Sequence, residues 1–138
     1  MTLSEKRRSI PVIEALSLPH IVIAATPLDG TVTSERARHK CFELLLPTLE
    51  KEYGISRLVL ESRETSQDDR DLMFVRGLRS RRFISRLRVD FAPGFSDARL
   101  WIADQALGAI GDAQRGRQDF SSFLKTLDMR ELDLHHLA

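Results

Sequence analysis

The sequence has little of several features that would identify a function directly. It contains one cysteine in 138 residues, which excludes an internal disulfide framework and a cysteine-based zinc site. No apolar run approaches the roughly 20 residues that cross a membrane. The N-terminus is charged early, but the apolar stretch that follows is interrupted by Pro11 and Glu14, which makes it a poor signal peptide. We therefore predict a cytoplasmic protein with no membrane partner.

Further absences narrow the chemistry. The chain has no internal repeat, no low-complexity tract and no linker rich in glycine, serine or proline. It has no glycine-rich phosphate loop, and no Ser-His-Asp or Cys-His arrangement has supporting context. Cys41 is predicted to be a core residue, and His20 and His39 are interpreted as unpartnered. With 42% apolar and 30% charged residues, the chain is predicted to form a single domain over residues 1–138.

The distribution of charge is more informative than the net charge, which is +1. Arginine outnumbers lysine 17 to 4, and residues 72–89 contain no acidic residue. Because guanidinium groups suit bidentate phosphate contacts, we predict that this segment binds a nucleic-acid backbone. The residues predicted to do so are Arg76, Arg79, Arg81 and Arg82. With few aromatic residues there, we expect no base-stacking platform. Two alternatives stay open: a GC-rich coding sequence explains the arginine bias, or Asp68, Asp69 and Asp71 neutralise the arginines.

Hydrophobic patterning predicts alternating helices and strands. The apolar runs at residues 20–25 and 58–60 are typical of strands buried on both faces, and the alternation over residues 87–91 is typical of a half-buried or edge strand. Predicted helix caps are Thr33 or Ser34, Ser66, and Ser96 or Asp97. Because helical crossovers join parallel strands, we predict an α/β fold with a small, mostly parallel sheet of at least three strands flanked by helices. Its exposed edge would pair with a second copy or another protein. Residues 116–138 are predicted to form a tail with one short helix, and residues 129–138 receive no assignment.

Three carboxylates are the candidates for catalysis. Glu61 closes a buried strand at its carboxyl end, where parallel α/β sheets open their ligand sites. Asp104 falls on the predicted core stripe of its helix, where a carboxylate is costly unless it is paired or metal-bound. Asp97 points almost the same way. The predicted stripe consists of Leu100, Ala103, Leu107 and Ile110. Converging carboxylates suit Mg²⁺, which serves phosphoryl transfer, and Glu61 and Asp104 are its predicted ligands. The alternative for Asp104 is a salt bridge with an arginine such as Arg63.

Three segments carry a family resemblance. They are residues 57–63 (RLVLESR), 87–91 (LRVDF) and 100–108 (LWIADQALG). Together they resemble uncharacterised actinobacterial proteins related to a domain-of-unknown-function family with a predicted ribonuclease-H-like fold. The LWIAD helix start is the most telling part, and the resemblance covers about residues 5–115.

The resemblance implies acids on the first strand, at the end of the fourth strand and on the final helix. Glu61 matches the second acid and Asp104 the third. The first has no match, because the family's opening hairpin is expected to precede Ser4, so the fold would lack its first strands. The implied function is a Mg²⁺-dependent phosphodiesterase or nuclease with an incomplete acidic site. Three alternatives stay open for the missing strands. The remaining strands pair directly with one another, or a second copy or another protein supplies the opening hairpin, or the chain is a natural truncation or a fragment. Two non-catalytic readings stay open: a protein-interaction or oligomerisation module, and an arginine-rich nucleic-acid binder.

Overall fold

The computed structural model describes residues 2–16, 18–27, 29–94, 98–116 and 119–136. They form an α/β fold with helices beside small sheets, as predicted. In chain order their elements are α1 (Leu3–Ala15), β1 (Ile21–Thr26), α2 (Ser34–Lys51), β2 (Arg57–Glu61), α3 (Thr65–Ser80), β3 (Arg88–Ala92), α4 (Ala98–Gln114), α5 (Ser121–Leu124), β4 (Asp128–Asp133) and a 3-10 helix (Leu134–His136). None of the helices in these ranges is long and apolar enough to span a membrane.

The strands form two small sheets instead of the one sheet that was predicted. β2 and β3 pair in parallel, with Val59 opposite Asp90, as a strand–helix–strand unit requires. β1 pairs with β4. For the described residues, the prediction of a sheet with at least three parallel strands is therefore wrong. The prediction failed because it did not include β4. The sequence of β4, DMRELD, lacks the β-branched and aromatic residues that indicate a strand, yet β4 pairs with β1.

The chain divides into two compact units. The terminal unit comprises Met1–Val22 and Gly94–Met129, and the central unit comprises Ile23–Pro93 and Arg130–Ala138. The single domain expected over residues 1–138 stays a prediction. The core of the terminal unit consists of Ile10, Ile13, Ala106, Ala109, Phe120 and Phe123. Within it, Lys6 Nζ donates to Asp112 Oδ2 at 2.8 Å, so an almost fully buried ion pair joins α1 to α4.

The predicted core stripe of α4 is wrong. Leu107 is 59% exposed and Asp104 is exposed as well, whereas Gln105, Ala106 and Ala109 are buried. The helix carries apolar residues around most of its circumference, so periodicity alone does not identify the buried face. Because Asp104 lies in contact with solvent, it does not pay the desolvation cost on which its candidacy depended.

The core of the central unit lies among α2, α3 and the β2–β3 sheet. It consists of Phe42, Leu46, Val75, Leu78, Ile84 and Leu87, with Leu58 and Leu60 of β2 packed against it. Thr33 caps α2 as predicted, through a hydrogen bond from Arg36 N. The N-cap of α3 is Glu64, two residues before the predicted Ser66. Pro47 was expected to kink or end α2, but the helix continues to Lys51.

Glu50 of α2 holds the segment that leads into β3. Its carboxylate accepts backbone hydrogen bonds from Ser85 (2.8 Å), Arg86 (2.8 Å) and Leu87 (2.6 Å). Burial acts to raise the pKa of the Glu50 carboxyl, but these hydrogen bonds outweigh it and leave the pKa below its usual value of 4.5. The ionised carboxylate therefore stabilises the path of the chain between α3 and β3.

Replacing this carboxylate with an amide tests that role. We expect Glu50→Gln to lower the free energy of unfolding by about 1–2 kcal/mol at neutral pH, because the amide turns a donor toward backbone N–H groups. Since the folded pKa of Glu50 lies below the unfolded value, the stabilisation is complete above about pH 4.5 and is lost as the pH falls through the folded pKa.

Urea denaturation of both proteins at about pH 7 and pH 3 measures the difference. The matched control is Glu43→Gln on the same helix, where the carboxylate contacts Lys40 at 3.4 Å, and its expected effect is below about 0.5 kcal/mol. A Glu50→Gln difference that persists unchanged at pH 3 would contradict this account.

Candidate functional site

The centre of the candidate site is the carboxylate of Asp71, a residue of α3 that is 0% exposed. Arg38 donates to its Oδ2 from Nη2 at 3.1 Å and from Nε at 3.3 Å. Arg63 Nη2 lies 3.1 Å from both oxygens, and His39 Nε2 donates to Oδ1 at 3.0 Å. A carboxylate removed from water requires such compensation. With Glu35, which also binds Arg63, these residues are called the Asp71 cluster.

The local sequence explains why these side chains meet. Glu35, Arg38 and His39 occupy positions i, i+3 and i+4 of α2 and therefore share one face of that helix. Arg63 lies just beyond the carboxyl end of β2, and its backbone N–H donates to Asp68 Oδ1 at 3.0 Å. The carboxyl ends of parallel strands are where α/β folds place functional groups. The strand end thus brings a guanidinium to the two helices.

Aromatic rings hold the α2 side chains of the cluster in place. The His39 ring stacks on Phe74, with centroids 4.5 Å apart and planes inclined by 10°. Arg38 Cζ lies 4.8 Å from the ring centroid of Phe42, a cation–π contact worth about 0.5–1 kcal/mol at such a site. Both side chains are therefore packed against a ring and bonded to Asp71, which limits their rotamers.

The charges inside the cluster balance. Burial acts to raise the pKa of Asp71, but hydrogen bonds from Arg38 and His39, with the nearby guanidinium charge, outweigh it and lower the pKa. The hydrogen bond from Arg63 lowers the pKa of Glu35, and the same bond raises the pKa of Arg63. Two carboxylates thus face two guanidinium groups, and the cluster carries no net charge when His39 is neutral.

Among the described residues, one set of side chains in this cluster can hold a metal ion. A ligand atom from each of Glu35, His39 and Asp71 lies within 4.8 Å of the others. The guanidinium of Arg63, however, already donates to both carboxylates of that set. A metal cation has to displace Arg63 in order to bind there, since two cations cannot share the same oxygens without repulsion.

A surface groove of about 490 Å³ runs beside the cluster, and we call it the α2–α3 groove. It is lined by Glu35, Arg36, His39, Lys40, Glu43, Arg70, Phe74 and Arg81. Both lining carboxylates already have a cationic partner: Glu35 pairs with Arg63, and Glu43 lies 3.4 Å from Lys40. The acidic groups of the groove are therefore neutralised locally.

Three guanidinium groups of the groove lack this neutralisation. Within the ranges that the structure describes, Arg36, Arg70 and Arg81 have no acidic partner. Arg81 Cζ lies 5.0 Å from the ring centroid of Phe83, and its Nε donates to the Gly77 carbonyl at 3.4 Å. All three arginines are exposed. The groove consequently has an excess of positive charge that a bound anion can neutralise.

The predicted catalytic residues lie elsewhere. Glu61 is exposed at the end of β2 in the central unit, and Asp104 is exposed on α4 in the terminal unit. Neither unit by itself therefore contains both predicted metal ligands. Asp97 lies outside the described residues. The suggested salt bridge of Asp104 with Arg63 is wrong, because Arg63 pairs with the carboxylates of the Asp71 cluster. The catalytic and metal-binding roles of Glu61, Asp104 and Asp97 stay predictions.

Of the four arginines predicted to bind nucleic acid, Arg81 lines the groove. Arg79 Nη2 donates to the Leu87 carbonyl at 2.7 Å, which ties α3 to the start of β3. Arg76 and Arg82 are exposed but do not line the groove. The structure thus divides the basic segment into a groove residue, a residue that supports the fold, and two surface residues.

Sequence reasoning missed the Asp71 cluster. The interpretation of His39 as unpartnered is wrong, because His39 bonds to Asp71 and stacks on Phe74. A signal was present in α3: Asp71 lies four residues before Val75 and seven before Leu78, and both are buried. An acid on a buried helix face requires donors from another element, here α2 and the segment after β2.

Comparison with known proteins provides no identification. No protein-family model, no curated protein and no solved structure matches the chain. The functional argument therefore depends on the geometry of the Asp71 cluster and the α2–α3 groove.

The cluster makes a direct prediction about stability. We expect Asp71→Asn to lower the free energy of unfolding by about 3 kcal/mol at neutral pH, because it leaves the guanidinium groups of Arg38 and Arg63 without their shared carboxylate. The folded pKa of Asp71 lies below its usual value of 3.8. The stabilisation is therefore complete above about pH 3.8 and disappears as the pH falls through the folded pKa.

Denaturant titrations of wild type and variant at about pH 7 measure this loss. Asp69→Asn is the matched control, since it makes the same change at an exposed position of the same helix. Equal stability of the two variants would show that the buried ion pairs do not hold α2 against α3.

Proposed function

We propose that the α2–α3 groove binds the phosphate backbone of a nucleic acid. The observation that carries this proposal is the convergence of Arg36, Arg70 and Arg81 in one groove, with no acidic partner among the described residues. Guanidinium groups bind phosphate oxygens through paired N–H donors. A concave site with excess positive charge also attracts polyanions from solution.

The hydrogen-bond partners of the acids beside the basic segment support this proposal. Asp71 is committed to the buried cluster, and Asp68 accepts a hydrogen bond from the backbone of Arg63. Asp69 is exposed. Two of the three acids are therefore engaged by other groups, which weighs against the alternative that they neutralise the arginines.

The aromatic pair in the groove supports a single-stranded ligand. His39 and Phe74 both line the groove and stack on each other. Bases stack on such surfaces with a gain of about 1–3 kcal/mol each, largely independent of sequence. A strand whose phosphates contact the arginines can place a base against this pair. The expectation from sequence that the basic segment lacks a stacking platform did not include His39, which comes from another helix.

Salt dependence tests the phosphate contacts. Three contacts predict that the logarithm of the binding constant falls with the logarithm of salt concentration with a slope of about −2 for a single strand. Each single change, Arg36→Ala, Arg70→Ala or Arg81→Ala, is expected to make the slope shallower by about 0.7, the contribution of one contact to a single strand. Fluorescence anisotropy of labelled DNA and RNA oligonucleotides, between about 50 and 200 mM salt, measures both quantities.

The control is Arg76→Ala, which removes an exposed guanidinium from α3, the helix that carries Arg70, but from outside the groove. We expect this variant to keep the wild-type affinity and slope. If the triple alanine variant binds as tightly as wild type, or if Arg76→Ala weakens binding as much as Arg70→Ala does, the groove is not the binding surface.

A second candidate function is that of a divalent-metal-dependent phosphodiesterase. It is favoured by the grouping of Glu35, His39 and Asp71. The imidazole in the donor set suits Zn²⁺ or Fe²⁺ and the two carboxylates suit Mn²⁺, whereas Mg²⁺ prefers oxygen ligands alone. The ribonuclease-H-like interpretation, with Mg²⁺ held by Glu61 and Asp104, is a separate form of this hypothesis.

Calorimetric titration separates the two metal hypotheses. For the cluster, we expect Arg63→Gln to bind Mn²⁺ about tenfold more tightly than wild type, because the competing guanidinium is gone. For the ribonuclease-H-like site, Mg²⁺ binding should vanish in Asp104→Asn and persist in Arg63→Gln. Absence of Mn²⁺ binding in both wild type and Arg63→Gln would eliminate the cluster as a metal site.

A further inference from the structure

One edge of β2 carries backbone groups that point away from β3. Ser56 and Ser62, which flank the strand, bond to β3 through an N···O distance of 2.9 Å each. Backbone groups alternate between the two edges along a strand, so those of Arg57, Val59 and Glu61 face the outer edge. Among the described residues, no strand pairs with this edge.

The sequence of this edge is complementary to itself. β2 reads RLVLE, with a cation at one end, an anion at the other and three apolar residues between. An antiparallel copy centred on Val59 sets Arg57 opposite Glu61 of the second copy, and Leu58 opposite Leu60 of the second copy. Opposite charges directly across a strand pair are stabilising, whereas like charges are destabilising.

We propose that β2 pairs antiparallel with β2 of a second copy of this chain, about a two-fold axis at Val59. The resulting sheet has the order β3-β2-β2-β3. In this register the residues whose backbone groups face the outer edge lie opposite one another. Val59 lies opposite Val59 of the second copy, and Arg57 of each copy lies opposite Glu61 of the other. Each of these pairs then exchanges two backbone hydrogen bonds, as the hydrogen-bonded pairs of an antiparallel ladder do, whereas Leu58 and Leu60 form the non-hydrogen-bonded pairs between them.

The charged side chains fit this arrangement. Glu61 is exposed and has no partner within the described residues. Arg57 donates to Asp90 from Nε at 2.7 Å, which leaves its terminal nitrogens for a carboxylate of the second copy. Its side chain is 55% exposed. The bond to Asp90 therefore orients Arg57 without using all of its donors.

The centre of β2 lacks the devices that prevent edge pairing. Natural edge strands avoid association through charged side chains, prolines or bulges. In RLVLE the charges stand only at the two ends, where this register pairs each with an opposite charge, and no proline or bulge interrupts the strand. Pairing with a second copy provides two further strands without any change in the chain.

Charge reversal tests the register. The 138-residue chain, without nucleic acid, is expected to sediment as a dimer at micromolar concentration. Either Arg57→Glu or Glu61→Arg sets like charges opposite each other at both ends of the strand pair. Each is expected to raise the dimer dissociation constant at least about tenfold. The double variant Arg57→Glu/Glu61→Arg restores opposite charges and is expected to restore the dimer.

Arg76→Glu is the matched control, because it reverses a charge at an exposed position of α3, outside the β2–β3 sheet. We expect it to leave the dimer unchanged. Circular dichroism establishes that each variant is folded, and restoration by the double variant excludes misfolding as the cause of dissociation. A wild-type monomer at all micromolar concentrations, or single variants that associate as wild type does, would overturn the proposal.

Discussion

The need to compensate a carboxylate that is removed from water constrains the central unit more than any other interaction. Asp71 is fully buried, and three side chains from two other segments donate to it. Without them the charge would be too costly to bury. The cluster therefore sets which face of α2 turns toward α3, and it sets where Arg63 lies after β2. The orientation of the groove follows from that arrangement.

The same cluster governs the chemistry that the groove can perform. Because its carboxylates and guanidinium groups balance, it does not neutralise the arginines that line the groove. Arg63 is the residue that separates the two candidate functions. While its guanidinium bridges Glu35 and Asp71, the carboxylate oxygens of these two residues are engaged in an internal ion pair. In that state the groove is suited to binding an anion and not to holding a metal ion. A metal ion in its place would provide an electrophile beside the surface that we propose binds phosphate.

The local parts of the fold were predictable, and the non-local parts were not. The start of α2 at Thr33 follows from a cap residue and its neighbours, and the strand at residues 57–61 follows from the apolar run at residues 58–60 that Glu61 closes. The buried face of α4 was mispredicted because apolar residues surround that helix. β4 was missed because its residues have low strand propensity, and pairing with β1 supplies hydrogen bonds that propensity does not count.

For the candidate site, the sequence by itself determined the residue types and their spacing along each helix. The positions of Glu35, Arg38 and His39 on one face of α2 follow from 3.6 residues per turn, and the excess of arginine over acid in residues 72–89 is a count. Only the tertiary structure decided which charges meet. Arg38 and Asp71 are 33 positions apart, and their pairing depends on how two helices pack against a common core. Local sequence patterns do not predict a pairing over that separation, because what selects the pair is the free-energy cost of burying the Asp71 carboxylate without a donor, and that burial exists only in the folded chain.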